Sequence, residues 1–172
     1  MHTITRLSAA DFGNSLKSLA DLLVDAVDDG SSLGFLTPFD QEAAAAWWRT
    51  RQPAVDDGSL IVWGAQGPGG IVGTVGLARV TMPAGRHRAE IVKLMVHREA
   101  RGQGLGRALL TTAEQAAALA GITLLLLDTE ADSTAEGLYR SAGWTRYGVV
   151  PDYAAEPGGS LRDCGFYYKQ LG

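Results

Sequence analysis

A mixed α/β fold is what the sequence predicts: a twisted, mostly antiparallel sheet of about seven strands, about four helices, and one central parallel strand pair. Three observations lead there. Ser59 to Ala65 and Ile71 to Val80 are β-rich runs joined by the turn sequence Gln66-Gly67-Pro68-Gly69-Gly70, which reads as a hairpin. Glu90 to Val96 has the β-branched and apolar content of a buried strand and feeds a glycine-rich turn that opens a helix. That helix is broken at Gly121, and the unbroken apolar run Ile122 to Leu127 follows, so strand, crossover helix and strand make a parallel pair.

In chain order, Thr3 to Leu7 alternates as an opening strand. Ser8, with Asp11 three residues on, then reads as a capping box at the start of a helix reaching about Val27. Leu16, Leu19, Leu22, Leu23, Ala26 and Val27 recur at helical spacing and form its apolar face. Asp28-Asp29-Gly30 ends it, because acids disfavour the negative end of the helix dipole and glycine suits the cap. The segment Ser31 to Leu36, within a longer loop 29–38, is flexible and apolar at its tip, suiting either a lid or ordinary packing.

Asp40 caps a second helix through Trp47-Trp48, which stops near Pro53 or at Asp56-Asp57-Gly58. Neighbours on a helix lie on different faces, so one tryptophan is free to wall a pocket when the other is packed. After the hairpin, Met82-Pro83-Ala84-Gly85 turns the chain into the central strand near Arg88, completing an antiparallel meander. A helix from about Gly104 to Leu119 follows, and after the apolar strand Asp132 or Ser133 caps another that ends at Gly143. Trp144 to Val149 and Gly165 to Leu171 are the last strands. The loop expected between them contains Pro151, Pro157, Gly158 and Gly159.

Composition limits the function classes. The 172 residues suit one domain, 1–172, with 46% hydrophobic and 20% charged residues, values typical of a soluble globular protein. A net charge of −4 disfavours a general nucleic-acid or anionic-membrane binder. The longest apolar runs are too short to span a bilayer. One cysteine, Cys164, excludes an internal disulfide. With no basic and apolar leader at the N-terminus, the expected location is cytoplasmic. His2, His87 and His97 stand apart with no cysteine pair, so no metal site is expected.

The chemistry concentrates at Arg101-Gly102-Gln103-Gly104-Leu105-Gly106-Arg107. Helix-start amides have no intrahelical partner, and glycines let an anion approach the backbone, so this turn suits a phosphate. It is not a G-x-x-x-x-G-K-[ST] loop, nor are its glycines spaced as G-x-G-x-x-G. With Arg101, Gly104 and Gly106 in register, it resembles the R-x-x-G-x-G/A turn of the GNAT acetyltransferase superfamily. Lys93-Leu94-Met95-Val96 precedes it at the family's distance, and Ala135-x-x-x-Tyr139-x-x-x-Gly143-Trp144 follows as a second family element. Within the superfamily the chain most resembles the tabtoxin-resistance branch, which inactivates a β-lactam amino-acid toxin. Ala89-Glu90, Leu127-Asp128-Thr129-Glu130-Ala131 and Tyr168-Lys169 are among the segments that agree.

This resemblance implies a sheet whose parallel strands splay where the central one bulges, admitting the pantetheine arm of acetyl-CoA. The backbone of Leu94, Met95 and Val96 would pair with that arm, with an N–H near Met95 or Val96 facing the thioester oxygen. The amides of Arg101, Gly102, Gln103, Gly104, Leu105, Gly106 and Arg107 would cradle the pyrophosphate. Glu90 and Asp128 are the implied bases for the amine proton, and Tyr139 the acid for the departing thiolate. Where the family often has Asn, this chain has Asp132. If the central strand is regular, Glu90, Val92, Leu94 and Val96 share one face. Asp128, Glu130 and Asp132 then make an acidic mouth suited to a cationic amine.

The expected activity is acetyl transfer from acetyl-CoA to a small-molecule amine by direct attack, because nothing beside Cys164 would activate a thiolate. Open alternatives are another amine (amino acid, polyamine or protein N-terminus) and a non-catalytic acetyl-CoA sensor. Monomer and homodimer both remain open.

Overall fold

In a computed structural model describing residues 2–172, seven strands form one sheet in the order β1-β2-β3-β4-β5-β7-β6. The first half of the chain runs β1 (Thr3–Arg6), α1 (Ala9–Asn14), α2 (Leu16–Asp28), α3 (Gln41–Arg49) and α4 (Gln52–Asp56). It continues through β2 (Leu60–Gly67), β3 (Gly70–Arg79) and β4 (Arg88–Val96). The second half is α5 (Leu105–Leu119), β5 (Leu124–Glu130), α6 (Thr134–Ser141), β6 (Thr145–Ala155) and β7 (Leu161–Gln170). All neighbouring strands are antiparallel except β4 and β5.

Among the described residues the α-helices number six rather than about four, because two expected helices are each cut in two. The capping box forms as read, with Ser8 and Asp11 satisfying each other's backbone amides. Gly13-Asn14-Ser15 is a poor helix run, however, and Ser15 at φ −95°, ψ 2° closes α1 before α2 begins. Likewise α3 starts at Asp40, whose carboxylate accepts from Ala43 N at 2.8 Å. It ends at Arg49, and α4 restarts with Pro53 in its first turn.

Two apolar clusters flank the sheet. One packs Leu105, Leu109, Leu110 and Ala113 of α5 against Val75, Ala89, Ile91, Leu125 and Leu127. The other packs Leu19, Leu22, Leu23 and Ala26 of α2 and Trp48 of α3 against Val62, Ile71 and Met95. Trp48 is fully packed, its indole N–H donating to Leu19 O at 3.0 Å, whereas Trp47 is half-buried.

The last two strands are longer than expected, and the turn-rich loop is largely absent. Pro151 lies inside β6, at a break in the β6–β7 register between Val150 and Ala154 where its missing N–H is tolerated. The turn itself is confined to residues 156–160. Among the described residues, no helix is long and apolar enough to cross a membrane.

Candidate active site

The site is created by one irregularity in β4. Thr74 of β3 pairs with Met95 and Gly76 with Val92, so Val75 faces both Lys93 and Leu94. This bulge gives Lys93 a φ of 49°, a strained value for a residue with a Cβ. Gly76 fits beside it because a Cβ there would lie 2.8 Å from Val92 Cγ2. The extra residue reverses the strand's side-chain parity, which corrects the regular-strand expectation. Glu90 and Val92 share a face, but Leu94 and Val96 turn to the α5 cluster, while Met95 is buried in the α2 cluster.

The bulge also separates β4 from β5. Their pairing consists of Arg88↔Leu124, Ala89↔Leu125 and Glu90↔Leu126, after which β5 runs on to Glu130 paired with β7 alone. A wedge therefore opens between Ile91–Val96 on one side and Leu127–Glu130 on the other. His97 N donates to Val72 O on β3, and amide direction alternates along a strand, so the Val96 amide turns into the wedge.

The glycine-rich turn closes one end of this wedge. Among the described residues, the amides of Gly102, Gln103, Gly104, Leu105, Gly106 and Arg107 find no backbone acceptor. Gly102 (φ 73°) and Gly104 (φ 76°) both sit in the left-handed region that lets the chain wrap such a concavity. The turn is anchored by the end of α2. Arg98 N donates to the Asp25 carboxylate at 3.0 Å and Arg98 Nε at 2.5 Å, and Arg101 binds Asp29. The Arg101 hydrogen bond and charge hold the Asp29 carboxyl below its usual range. Since Arg101 Nε also donates to Val96 O at 3.0 Å, its side chain positions the turn and leaves the anion to the amides.

The remaining predicted residues of the turn divide by direction. Leu105 is buried in the α5 cluster, so only its backbone faces outward. Gln103 is exposed, with its Oε1 3.4 Å from His2 Nε2. Arg107 binds Ser141 Oγ and so ties α5 to α6.

Asp128 is the electrostatic centre of the wedge. It lies on β5 two residues beyond Leu126, the register partner of Glu90, and so on the same face as Glu90. Cys164 Sγ is 3.6 Å from Asp128 Oδ2, and burial with that negative charge pushes the thiol up to about 12. Tyr139 is buried on α6 against Trp144 and Tyr167, and its hydroxyl is raised by burial and then by Asp128. Lys93 has its affinity for a proton lowered by burial and partly restored by Asp128. Glu90 is exposed, and no hydrogen bond or ion pair fixes its carboxylate among the described residues.

Glu136, which the sequence reading passed over, is the buried acid of this end of the fold. Its carboxylate accepts from Tyr167 Oη and, at 2.7 Å, from Asp132 N, with Arg146 at 3.5 Å and Arg140 at 3.6 Å. Burial opposes its ionisation, but these partners together hold its pKa below the ordinary value. It thereby fixes the acidic turn 130–133 and the start of α6, which carries Tyr139.

The profile of the acetyltransferase (GNAT) family matches residues 21–144. The chain belongs to the GNAT acetyltransferase family. It is similar to human N-acetyltransferase 8B, at 39% identity over 88 residues, which cover 50% of this chain and 39% of that protein. The chain thus spans well under half the length of that curated relative. Among solved structures it resembles the ribosomal-protein-alanine N-acetyltransferase of Brucella melitensis (28% identity, TM-score 0.75, covering 98% of this chain and 99% of that one). It also shares the fold of the phosphinothricin acetyltransferase of Sinorhizobium meliloti in complex with AcCoA. There the TM-score is 0.82 at 21% identity, covering 99% of this chain and 89% of that one.

A cavity of about 450 Å³ adjoins the wedge in this GNAT chain, and the sequence reading did not find it. It is lined by Trp47 and Arg51 from the second helical region, Thr74, Gly76 and Arg79 from β3, and Val92 and Lys93 from β4. Loop 29–38 lies beside it. Phe35 stacks on Phe39 and meets Trp47 edge-on, Leu33 O accepts from Lys93 Nζ at 3.1 Å, and Thr37 bonds Pro157 O. The one signal for Lys93 in the sequence was a charge inside the apolar run Ile91 to Val96.

Proposed function

We propose that this chain is an N-acetyltransferase that moves acetyl from acetyl-CoA to the amino group of a small molecule by direct attack. The observation that carries the reading is the coincidence of the β4 bulge, which opens the wedge after Glu90, with the run of amides from Gly102 to Arg107 left without backbone acceptors. An elongated ligand with an anionic end matches that pairing of an open strand edge with a cradle of donors. That the phosphinothricin acetyltransferase sharing this fold was solved in complex with AcCoA supports acetyl-CoA as the donor.

Bound acetyl-CoA supplies an activated acetyl group. The amides of Gly102 to Arg107 hold its pyrophosphate, and Leu94 to Val96 line its arm. The Val96 amide donates to the thioester oxygen as that oxygen takes on charge. Asp128 accepts the proton of the attacking amine, directly or through water, and Glu90 is the second carboxylate on that face. Tyr139, protonated throughout the working range because its pKa is raised, gives the departing sulfur a hydrogen-bond donor. A covalent acetyl-cysteine route is disfavoured, since Cys164 is buried and its thiol is raised to about 12.

The cavity volume lies in the range of small-molecule sites, which favours a small acceptor over a protein N-terminus. Within that class the resemblance to the tabtoxin-resistance branch makes a β-lactam amino acid the first candidate. The test is release of free CoA thiol from acetyl-CoA across amino acids, polyamines, N-terminal peptides and that β-lactam. Turnover on small amines is expected. CoA binding without turnover on any amine would favour a sensor instead.

A further inference from the structure

The cavity carries an electrostatic pattern opposite to that of the protein as a whole. Lys93 Nζ lies 5.1 Å and Arg51 Cζ 5.2 Å from the centroid of the same Trp47 ring, and Arg79 lines the same space. No carboxylate lines the cavity, and among the described residues no carboxylate oxygen lies within 4.0 Å of any of these three cations. Two positive groups held over one indole, in a chain of net charge −4, repel each other unless an anion joins them. Arg51 accordingly adds to burial in lowering the proton affinity of Lys93.

The donors are free to receive such an anion. Lys93 gives one of its three hydrogens to Leu33 O, and Arg51 gives its Nε to Thr50 Oγ1, leaving the terminal guanidinium nitrogens. The bulge that holds Lys93 at φ 49° is the same one that opens the wedge, so this strained residue joins the cavity to the reaction centre. Asp128 acts on Lys93 with the opposite sign to Arg51, raising its proton affinity.

We propose that this cavity is the subsite for an anionic group on the acceptor, so that the substrate is a zwitterionic amino acid or amino-acid analogue. It rests on the acetyl-transfer reading. The ammonium end faces Asp128, and the carboxylate lies between Lys93 and Arg51 over Trp47. The acidic mouth and the basic cavity then recognise the two ends of one molecule.

The experiment compares α-amino acids with their methyl esters, which keep the amine and side chain but lose the negative charge. Both are measured with acetyl-CoA in wild type and in Lys93→Met, Lys93→Arg and Arg51→Gln. The free acids are expected to exceed the esters in kcat/KM by about ten- to hundredfold, the contribution of charged hydrogen bonds. That preference should collapse in Lys93→Met and Arg51→Gln and persist in Lys93→Arg, the control for folding. Equal turnover of acids and esters by wild type would overturn the subsite while leaving acetyl transfer intact. The same pairs are titrated against tryptophan fluorescence with CoA bound. Carboxylate-dependent binding without turnover would uphold the subsite and sink the transfer reading, whereas indifference to the carboxylate in both assays would overturn the subsite.

Discussion

Replacing Gly104 by valine tests the anion cradle through its backbone alone. A Cβ at this position meets nothing within 4 Å, so no clash contributes. The cost arises because Gly104 caps α5 at φ 76°, ψ 6°, a conformation that disfavours an L residue by about 1–2 kcal/mol. If the turn keeps its shape, the melting temperature should fall by roughly 2–8 °C, at about 2–4 °C per kcal/mol for a chain of this size. If it escapes the strain by rotating, the amides of Gly102 to Leu105 swing away from a common centre. Losing one charge-assisted hydrogen bond then weakens CoA by about tenfold or more. Gly106→Ala is the matched control. Its Cβ would rest at ordinary contact, 3.5 Å from Leu138 Cδ2 and 3.8 Å from Val96 Cγ2, facing inward. Alanine should therefore bind CoA normally and gain up to about 1 kcal/mol of helix stability. Calorimetric CoA titration at fixed salt, with thermal melts, reads both variants. Wild-type affinity in a folded Gly104→Val whose melting temperature is also unchanged, so that the turn has relaxed its strain by rotating, would show that the cradle does not hold the cofactor.

Asp128→Asn should lower kcat by about a hundredfold or more with CoA affinity unchanged, and undiminished turnover would remove Asp128 from proton transfer. Cys164→Ala should keep turnover within about twofold of wild type, and an acid-stable acetyl-enzyme in wild type would contradict direct attack. Glu136→Ala should cost about 2–4 kcal/mol by leaving the buried Tyr167 hydroxyl and the Asp132 amide without an acceptor, visible in denaturant titration. Because the folded-state pKa of Glu136 is lowered from 4.5, its carboxylate adds stability that is fully present above 4.5 and lost as pH falls through the lowered value. Melts of Glu136→Gln against wild type across that window should converge at acid pH, and a constant gap would refute the linkage.

The β2-β3-β4 meander, the parallel pair and the strand-turn-helix at the glycine run were legible because they depend on local pattern: alternation, the hairpin glycines, the caps at Ser8 and Asp40, and a glycine turn between strand and helix. What escaped depended on departures from regularity. A single inserted residue at Lys93 reverses parity along β4; the resemblance implied a bulge in the central strand, but no periodicity argument places it at that residue. Ser15 and Arg51 break helices that apolar spacing alone would have continued. Pro151 reads as a loop until the bulge in β6 shows how a strand accommodates it. The cavity was hidden for another reason, since Trp47, Arg51, Arg79 and Lys93 come from separate elements and meet only after the sheet and α3 are packed. Of the two tryptophans, one was expected to be free for a pocket; Trp47 stays half-buried at the cavity, but the packed Trp48 lines it too.

The most direct test is hydrogen exchange, read by mass spectrometry with and without acetyl-CoA. Slowed exchange is expected at two separated places, Gly102 to Arg107 and Val96, where amides without a backbone acceptor gain a ligand. Protection elsewhere on the fold, with both places exchanging as in the free protein, would put the cofactor outside the wedge.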